Sequence, residues 1–200
     1  MRLPDSAHTS RPWRIHDIVP DFRLEDVWAL PTPGSAHDFS ELVDTVISFD
    51  LAESSSRAVR ALVAIRWKIG GLLGWDAPKT GVEGRVSTLR ERLPADLRDA
   101  ATGPTPRNLP FEPLYALDDE WAAEIANQTM HGVLHLGWVR EEDGSYRGQL
   151  AVLVKPNGLF GKAYMAAIKP FRHAIVYPVL TRDIEKAWRA RISSPAAAKD

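Results

Sequence analysis

Five polar side chains between residues 120 and 135 have the types and spacing of a catalytic or metal-binding group. They are Glu120, Glu124, Asn127, His131 and His135. On one continuous helix they would share a face, and two histidines four residues apart beside a glutamate resemble a zinc site. Without a metal, Glu124 or His131 could transfer protons in a cavity, because burial tunes the pKa of such groups.

The local pattern favours strands over that continuous helix. The segment Glu120–Asn127 alternates between polar and apolar residues, although a helix capped by Asp118 or Asp119 is the alternative. In a strand, at ~3.3 Å per residue, His131 and His135 would stand about 13 Å apart, too far to share one zinc ion. We therefore predict no metal site. Glu124, His131 and His135 stay candidates for acid–base catalysis, with structural roles as the alternative.

Apolar periodicity predicts the elements that must position these residues. Alternation predicts a β-hairpin around Asp143–Gly144. The apolar run Phe22–Leu30 is interpreted as a short helix, although its pattern does not fix the type of element. The predicted strands are Pro12–Ile18, Phe111–Leu117, Glu120–Asn127, Thr129–Val139 and Tyr146–Val154.

Helices are predicted by apolar stripes at helical spacing. One begins after Asp38, and a second runs from a cap at residues 54–56 to Gly74. A short helical piece is expected around residues 88–93 within a long connection from 76 to 107. The closing segment Leu159–Ile192 is predicted to be a long helix. Because an interior proline removes a backbone hydrogen bond, it should start or kink at Pro170 and kink again near Pro178.

Length and composition limit the classes of function that this chain can have. A chain of 200 residues suits one domain, predicted at 12–192 between a flexible N-terminus at 1–11 and a disordered tail at 193–200. The net charge of −1 argues against nucleic-acid binding. The absence of cysteine excludes disulfides and thiolate chemistry. No apolar run reaches a membrane span and no secretory signal is evident, so we predict a cytoplasmic protein.

A glycine-rich turn precedes the closing helix. Lys155-Pro156-Asn157-Gly158 matches neither nucleotide-binding fingerprint, so it is interpreted as a strand-to-helix turn rather than a phosphate loop. The basic residues Lys162, Lys169, Arg172 and His173 follow it and are interpreted as a solvated face, with steering of an anionic ligand or partner as the alternative.

Three stretches of the sequence resemble a bacterial family known only as a domain of unknown function. The stretch from 150 to 188, LAVLVKPNGLFGKAYMAAIKPFRHAIVYPVLTRDIEKAW, is similar to its C-terminal strand, loop and helix. RPWRIHDIVPDFRLEDVWALPTP is similar to its opening segment and DDEWAAEIANQTMHGVLHLGWV to its central one. That family in turn resembles the helix-grip superfamily, which includes START-like, plant-allergen-like and polyketide-cyclase-like proteins (SRPBCC).

The resemblance implies an α+β fold in which a seven-stranded antiparallel sheet grips a long C-terminal helix around an apolar cavity. Only about five strands are convincing in this sequence. In some relatives a similar domain follows a short-chain-dehydrogenase-like domain, which is not seen here, so no NAD(P) chemistry carries over. The family has no assigned catalytic residues, and no cofactor is predicted.

Three hypotheses follow from this reading. The first is a binding module for a small hydrophobic or amphipathic molecule between the sheet and the C-terminal helix. The second is a cyclase-, dehydratase- or isomerase-like enzyme with Glu124 or His131 as its general base, and the third is an interaction domain with a filled core. The residues predicted to line the cavity are Trp121, Leu136, Trp138, Tyr164, Ile168 and Phe171. The sequence leaves the oligomeric state open.

Overall fold

A computed structural model gives the fold of the protein. It describes residues 1–49, 56–73, 82, 84, 86–106 and 110–193. Outside these residues lie the predicted cap at residues 54–55, the predicted helix end at Gly74, part of the 76–107 connection and all of the predicted tail except Ser193. No helix in the described part of the chain is long and apolar enough to cross a bilayer.

A five-stranded antiparallel sheet forms the centre of the molecule, with strand order β1-β5-β4-β3-β2. Strands β2 to β5 follow one another along the chain as a meander, whereas β1 comes from the N-terminal region and pairs with β5. The strands are β1 (Arg23–Ala29), β2 (Glu112–Ala116), β3 (Glu120–Ala126), β4 (Met130–Arg140) and β5 (Tyr146–Pro156). The fold is thus α+β, and the described residues form a sheet of five strands rather than the seven that the superfamily resemblance implies.

The meander confirms four of the predicted strands. The segment from Glu120 is the strand β3 rather than a helix, and β4 and β5 form a hairpin closed at Asp143–Gly144. Gly144 has φ of +85°, a conformation that glycine adopts without the penalty of a side chain. Within β4, residues 131, 133 and 135 lie on one face of the sheet and residues 134, 136 and 138 on the other.

Two predictions near the N-terminus are wrong. The segment Pro12–Ile18, predicted to be a strand, contains the short helix α2 (Ile15–Ile18), which follows α1 (Ser6–Thr9). The segment Phe22–Leu30, interpreted as a helix, contains β1. A β-bulge between Leu24 and Asp26 breaks the alternation in β1, which explains why its period was not recognised.

The helices that follow β1 are close to their predicted positions. They are α3 (Phe39–Ile47) and α4 (Arg57–Leu73). Asp38 stands at the N-cap of α3, but its carboxylate accepts the Ser35 backbone N–H rather than capping the helix. A 3₁₀ turn (Leu89–Arg92) and α5 (Ala95–Arg98) precede β2.

The C-terminal helix is interrupted close to its prolines. It consists of α6 (Gly158–Phe171), a π-helical turn (Arg172–Val176) and α7 (Tyr177–Ser193). It does not start near Pro170, which lies inside α6, because Gly158 with φ of +63° turns the chain directly from β5 into the helix. Pro170 has no N–H group to donate to the helix, and the π-helical turn begins two residues after it.

Both faces of the sheet are covered. One face, here called the carboxylate face because it carries Glu120 and Glu124, is closed by residues 13–22 and 89–97. The opposite face, here called the cavity face, is closed by α3, α6 and α7. Residues 1–11, expected to be flexible, are packed as well. His8 is fully buried, and Gln149 donates to the Ala7 carbonyl.

Candidate functional site

An apolar cavity of about 180 Å³ lies between the cavity face and α6. Its walls come from the C-terminal half of β3, the start of β4, the end of β5 and the inner side of α6. The apolar side chains around it include Ile125, Met130, Leu134, Val152, Met165 and Ile168. Almost all of its surface is hydrocarbon, so the shape and chemistry of the site suit an apolar group.

The start of α6 is fixed closely against the turn between β3 and β4. The Asn157 backbone N–H donates to the Thr129 carbonyl at 2.8 Å, and the Asn157 side chain donates to the Asn127 carbonyl at 2.8 Å. A Cβ on Gly161 would lie 2.1 Å from the Thr129 carbonyl oxygen, so only glycine permits this approach. These contacts set the distance between helix and sheet, and hence the size of the cavity.

The predicted lining residues divide into three groups. Tyr164 and Ile168 lie in the cavity wall. Trp121 and Trp138 are buried on the same face, with Leu136, in the core formed with α3 and α7 rather than in the wall. Phe171 is 52% exposed. The cavity is therefore closer to the β3–β4 turn than the sequence suggested.

A buried polar cluster stands at the α7 end of the cavity. Arg172 lies in the cavity wall, and its guanidinium Nη2 is 3.1 Å from the carboxylate Oδ2 of Asp26 on β1. His173 also contacts Asp26, and the Tyr177 hydroxyl donates to it at 2.9 Å. Burial, together with the adjacent Asp26 carboxylate, raises the pKa of Tyr177 well above its usual value. The cluster holds the π-helical turn against the sheet.

This cluster was missed by sequence reasoning. The signal was an aspartate, Asp26, immediately before the buried pair Val27 and Trp28, which is unusual in a strand interior. It could be interpreted only after the segment was recognised as a strand. Its partners lie about 150 residues away, beyond the reach of any local pattern.

On the carboxylate face, Glu120 fixes α2 to the sheet. Its carboxylate accepts the backbone N–H groups of Arg14 at 2.8 Å and Ile15 at 2.9 Å, and also the Tyr115 hydroxyl. The His135 Nε2 lies 3.1 Å away. Burial alone would raise the pKa of Glu120, but these hydrogen bonds outweigh it and the pKa is lowered.

Glu124 binds a second short element in the same way. It accepts the Leu89 backbone N–H at 3.0 Å and the Thr88 hydroxyl at 2.5 Å, at the start of the 3₁₀ turn. The His131 Nε2 lies 2.8 Å from its other oxygen. Both glutamates therefore hold the N-terminus of a helical turn, where unpaired N–H groups favour a negative charge.

The two histidines thus belong to separate pairs. His131 contacts Glu124, whereas His135 contacts Glu120 and, through Nδ1, the His8 Nε2 at 3.1 Å. Desolvation, with the neighbouring His135 and His16, lowers the pKa of His8 to about 2. Among the described residues no cluster of three or more His, Asp or Glu side chains could hold a metal ion.

The sheet itself separates these pairs from the cavity. Glu124, His131 and His135 are all buried on the carboxylate face, where Glu124 pairs with His131 and His135 with Glu120. Asn127, the fifth residue of the original group, lies in the β3–β4 turn, where its side-chain oxygen accepts the Thr129 and Met130 N–H groups. The contacts of these five side chains hold the covering segments and the β3–β4 turn in position.

Comparison with known proteins identifies the family. Searches of curated proteins and of solved structures returned no match. The sequence profile of a family described as a protein of unknown function (DUF2867) matches residues 18–179, which span all five strands and most of the C-terminal helix. The chain therefore belongs to this family, DUF2867.

Proposed function

We propose that the protein binds a small hydrophobic or amphipathic molecule in the cavity between the sheet and α6. The observation that carries this proposal is a partly open space of about 180 Å³ with walls that are almost entirely apolar. A cavity of roughly 150 Å³ with such walls accommodates benzene, so this one has room for roughly six to nine non-hydrogen atoms.

Polar groups at the edge of the cavity support an amphipathic ligand over a purely apolar one. Arg172, Asn127 and Thr129 all lie at the wall, and the buried Arg172 Nε has no hydrogen-bond partner among the described residues. A hydroxyl or carbonyl oxygen on the ligand would satisfy that N–H group. Because Asp26 and Glu25 already balance the Arg172 charge, a neutral polar group fits better than a full anion.

Acid–base catalysis by Glu124 or His131 has less support from the geometry. Both side chains lie across the sheet from the cavity and are hydrogen-bonded to each other. The Glu124 carboxylate also accepts the Leu89 N–H. A general base must reach the proton that it removes. A cyclase-, dehydratase- or isomerase-like reaction in this cavity would need another base.

Methyl NMR with two probes tests the binding proposal. Toluene and benzyl alcohol have the expected size, and each should cause saturable shifts in the methyl signals of Ile125, Leu134 and Ile168. The Leu42 methyls, which lie on α3 in the apolar core outside the cavity wall, should not shift. Benzyl alcohol should bind more tightly, because its hydroxyl can accept the Arg172 N–H.

A matched pair of variants in α6 serves as the control. Ile168→Phe adds volume inside the cavity and should abolish the shifts, whereas Phe171→Leu changes a half-exposed residue and should preserve them. The proposal fails if wild-type protein shows no saturable shift with either probe, or if Ile168→Phe binds as well as the wild type.

A further inference from the structure

The outward surface of α6 is apolar over nearly its whole length. At 100° per residue, the exposed residues form one arc. Its centre is Leu159, Ala163, Ala166, Ala167 and Pro170. A surface helix ordinarily carries polar residues there, and a helix that is apolar all round is ordinarily covered. The inner side of α6 faces the cavity, whereas these five residues on its outer side are exposed.

Large exposed side chains lie at both ends of α6. Leu159 is 84% exposed, Phe160 is 54% exposed and Phe171 is 52% exposed. These three, with Met1, are the exposed large hydrophobic residues of the described chain. Leu159 and Phe171 are about 18 Å apart along the axis, so a partner would have to cover the whole helix rather than one end.

The charge around this arc has one sign. Lys162 and Lys169 form one flank of it, both exposed, and neither has an ion-pair partner among the described residues. From Gly144 to Arg182 the sequence contains six Lys or Arg residues and no Asp or Glu, in a chain whose net charge is −1. An apolar surface bordered only by cations is complementary to an apolar, anionic surface.

We propose that α6 docks on an anionic lipid surface, with its axis parallel to the membrane plane. Leu159, Phe160 and Phe171 enter the headgroup–acyl boundary, while Lys162 and Lys169 reach the lipid phosphates. A second copy of the chain fits less well. Two α6 arcs packed together would bring the lysines of both copies near one interface, and the segment has no carboxylate to pair with them.

Vesicle co-sedimentation of the full chain tests this proposal. We expect the wild-type protein to partition onto phosphatidylcholine vesicles containing phosphatidylserine, and to do so much less onto pure phosphatidylcholine. Lys162→Glu with Lys169→Glu should lower the partition coefficient by roughly tenfold or more. Leu159→Ser with Phe171→Ser should also lower it, and this loss should persist at low salt, where screening is weak.

The matched control reverses two charges elsewhere. Arg140 and Lys186 are both exposed, so Arg140→Glu with Lys186→Glu gives the same net charge without touching α6 and should bind like the wild type. The proposal is overturned if wild-type protein stays in the supernatant with anionic vesicles at low salt, or if both charge reversals weaken binding equally. It is also overturned if light scattering shows a dimer that Leu159→Ser dissociates.

The vesicle-binding proposal and the ligand-binding proposal can be tested independently of each other. The substitutions at 159, 162, 169 and 171 lie on the outer side of α6, whereas Ile168→Phe lies on the inner side. Loss of toluene binding with vesicle binding retained would therefore overturn only the cavity proposal. The reverse result would overturn only the docking proposal.

Discussion

The carboxylate face and the cavity face of the same sheet are closed by different kinds of contact. On the carboxylate face, two buried glutamates accept backbone N–H groups from two short helical turns that are remote in sequence. On the cavity face, longer helices pack through apolar side chains and leave a space beneath α6. Directional hydrogen bonds fix short segments that cannot bury much area, whereas non-directional packing tolerates an unfilled volume.

The largest effect should come from removing one carboxylate anchor. Glu120→Ala leaves the Arg14 and Ile15 N–H groups, the Tyr115 hydroxyl and His135 without their buried partner. We expect the free energy of unfolding, measured by urea denaturation, to fall by about 3–5 kcal/mol. The exposed Glu142→Ala should change it by less than about 0.5 kcal/mol. A similar small loss for both variants would contradict the anchoring role.

A smaller effect is expected where α6 meets the sheet. Gly161→Ala places a methyl group against the Thr129 carbonyl and must push the helix outward, at a cost of about 1–3 kcal/mol. Gly71→Ala in α4, where a Cβ meets no atom within 4 Å, should instead stabilise by about 0.5–1 kcal/mol. Thermal denaturation of the two variants should show opposite signs. Equal signs would mean that the close approach at Gly161 is not a constraint.

The smallest effect is the pH dependence that His8, on the carboxylate face, contributes to stability. The pKa of His8 is lowered to about 2 in the folded state, against about 6.5 when unfolded. The unfolded chain therefore binds the extra proton, and stability should fall as pH drops below about 6.5. We expect a loss of about 1–2 kcal/mol between pH 6.5 and 5 from this residue.

Comparison of urea midpoints across that range in wild type and His8→Leu measures the effect. The variant loses the His135 contact and should be less stable at neutral pH, but its curve should be flatter. Glu120, whose pKa is lowered, loses its contribution only at more acidic pH, below its unfolded value near 4.5. Identical slopes for the two proteins between pH 6.5 and 5 would show that His8 is not buried in its neutral form.

The sequence predicted the meander better than the N-terminal region. Alternation in β4 is regular because its pairings with β3 and β5 run without a register shift, so its strand period is easy to recognise. In β1 a bulge shifts the phase, and Val27 and Trp28 are both buried because the sheet is covered on both faces. Local periodicity therefore failed where tertiary structure decides burial.

The candidate site shows the same division. Tyr164 and Ile168 could be predicted as wall residues because helical spacing places them on the inner side of α6. The roles of Glu120 and Glu124 could not, since the groups that they bind are backbone N–H groups of remote segments, which leave no trace in residue type. Arg14 and Glu120, for example, are 106 residues apart.

The position of β1 at the edge of the sheet has a consequence for how the chain folds. Its partner β5 lies about 120 residues further along, whereas each pairing within the β2–β5 meander joins two strands that are consecutive in sequence. Closing that long loop costs entropy before any contact repays it. We therefore expect the meander to assemble first and β1 to join last. During synthesis, β1 would therefore have no strand partner until β5 has left the ribosome.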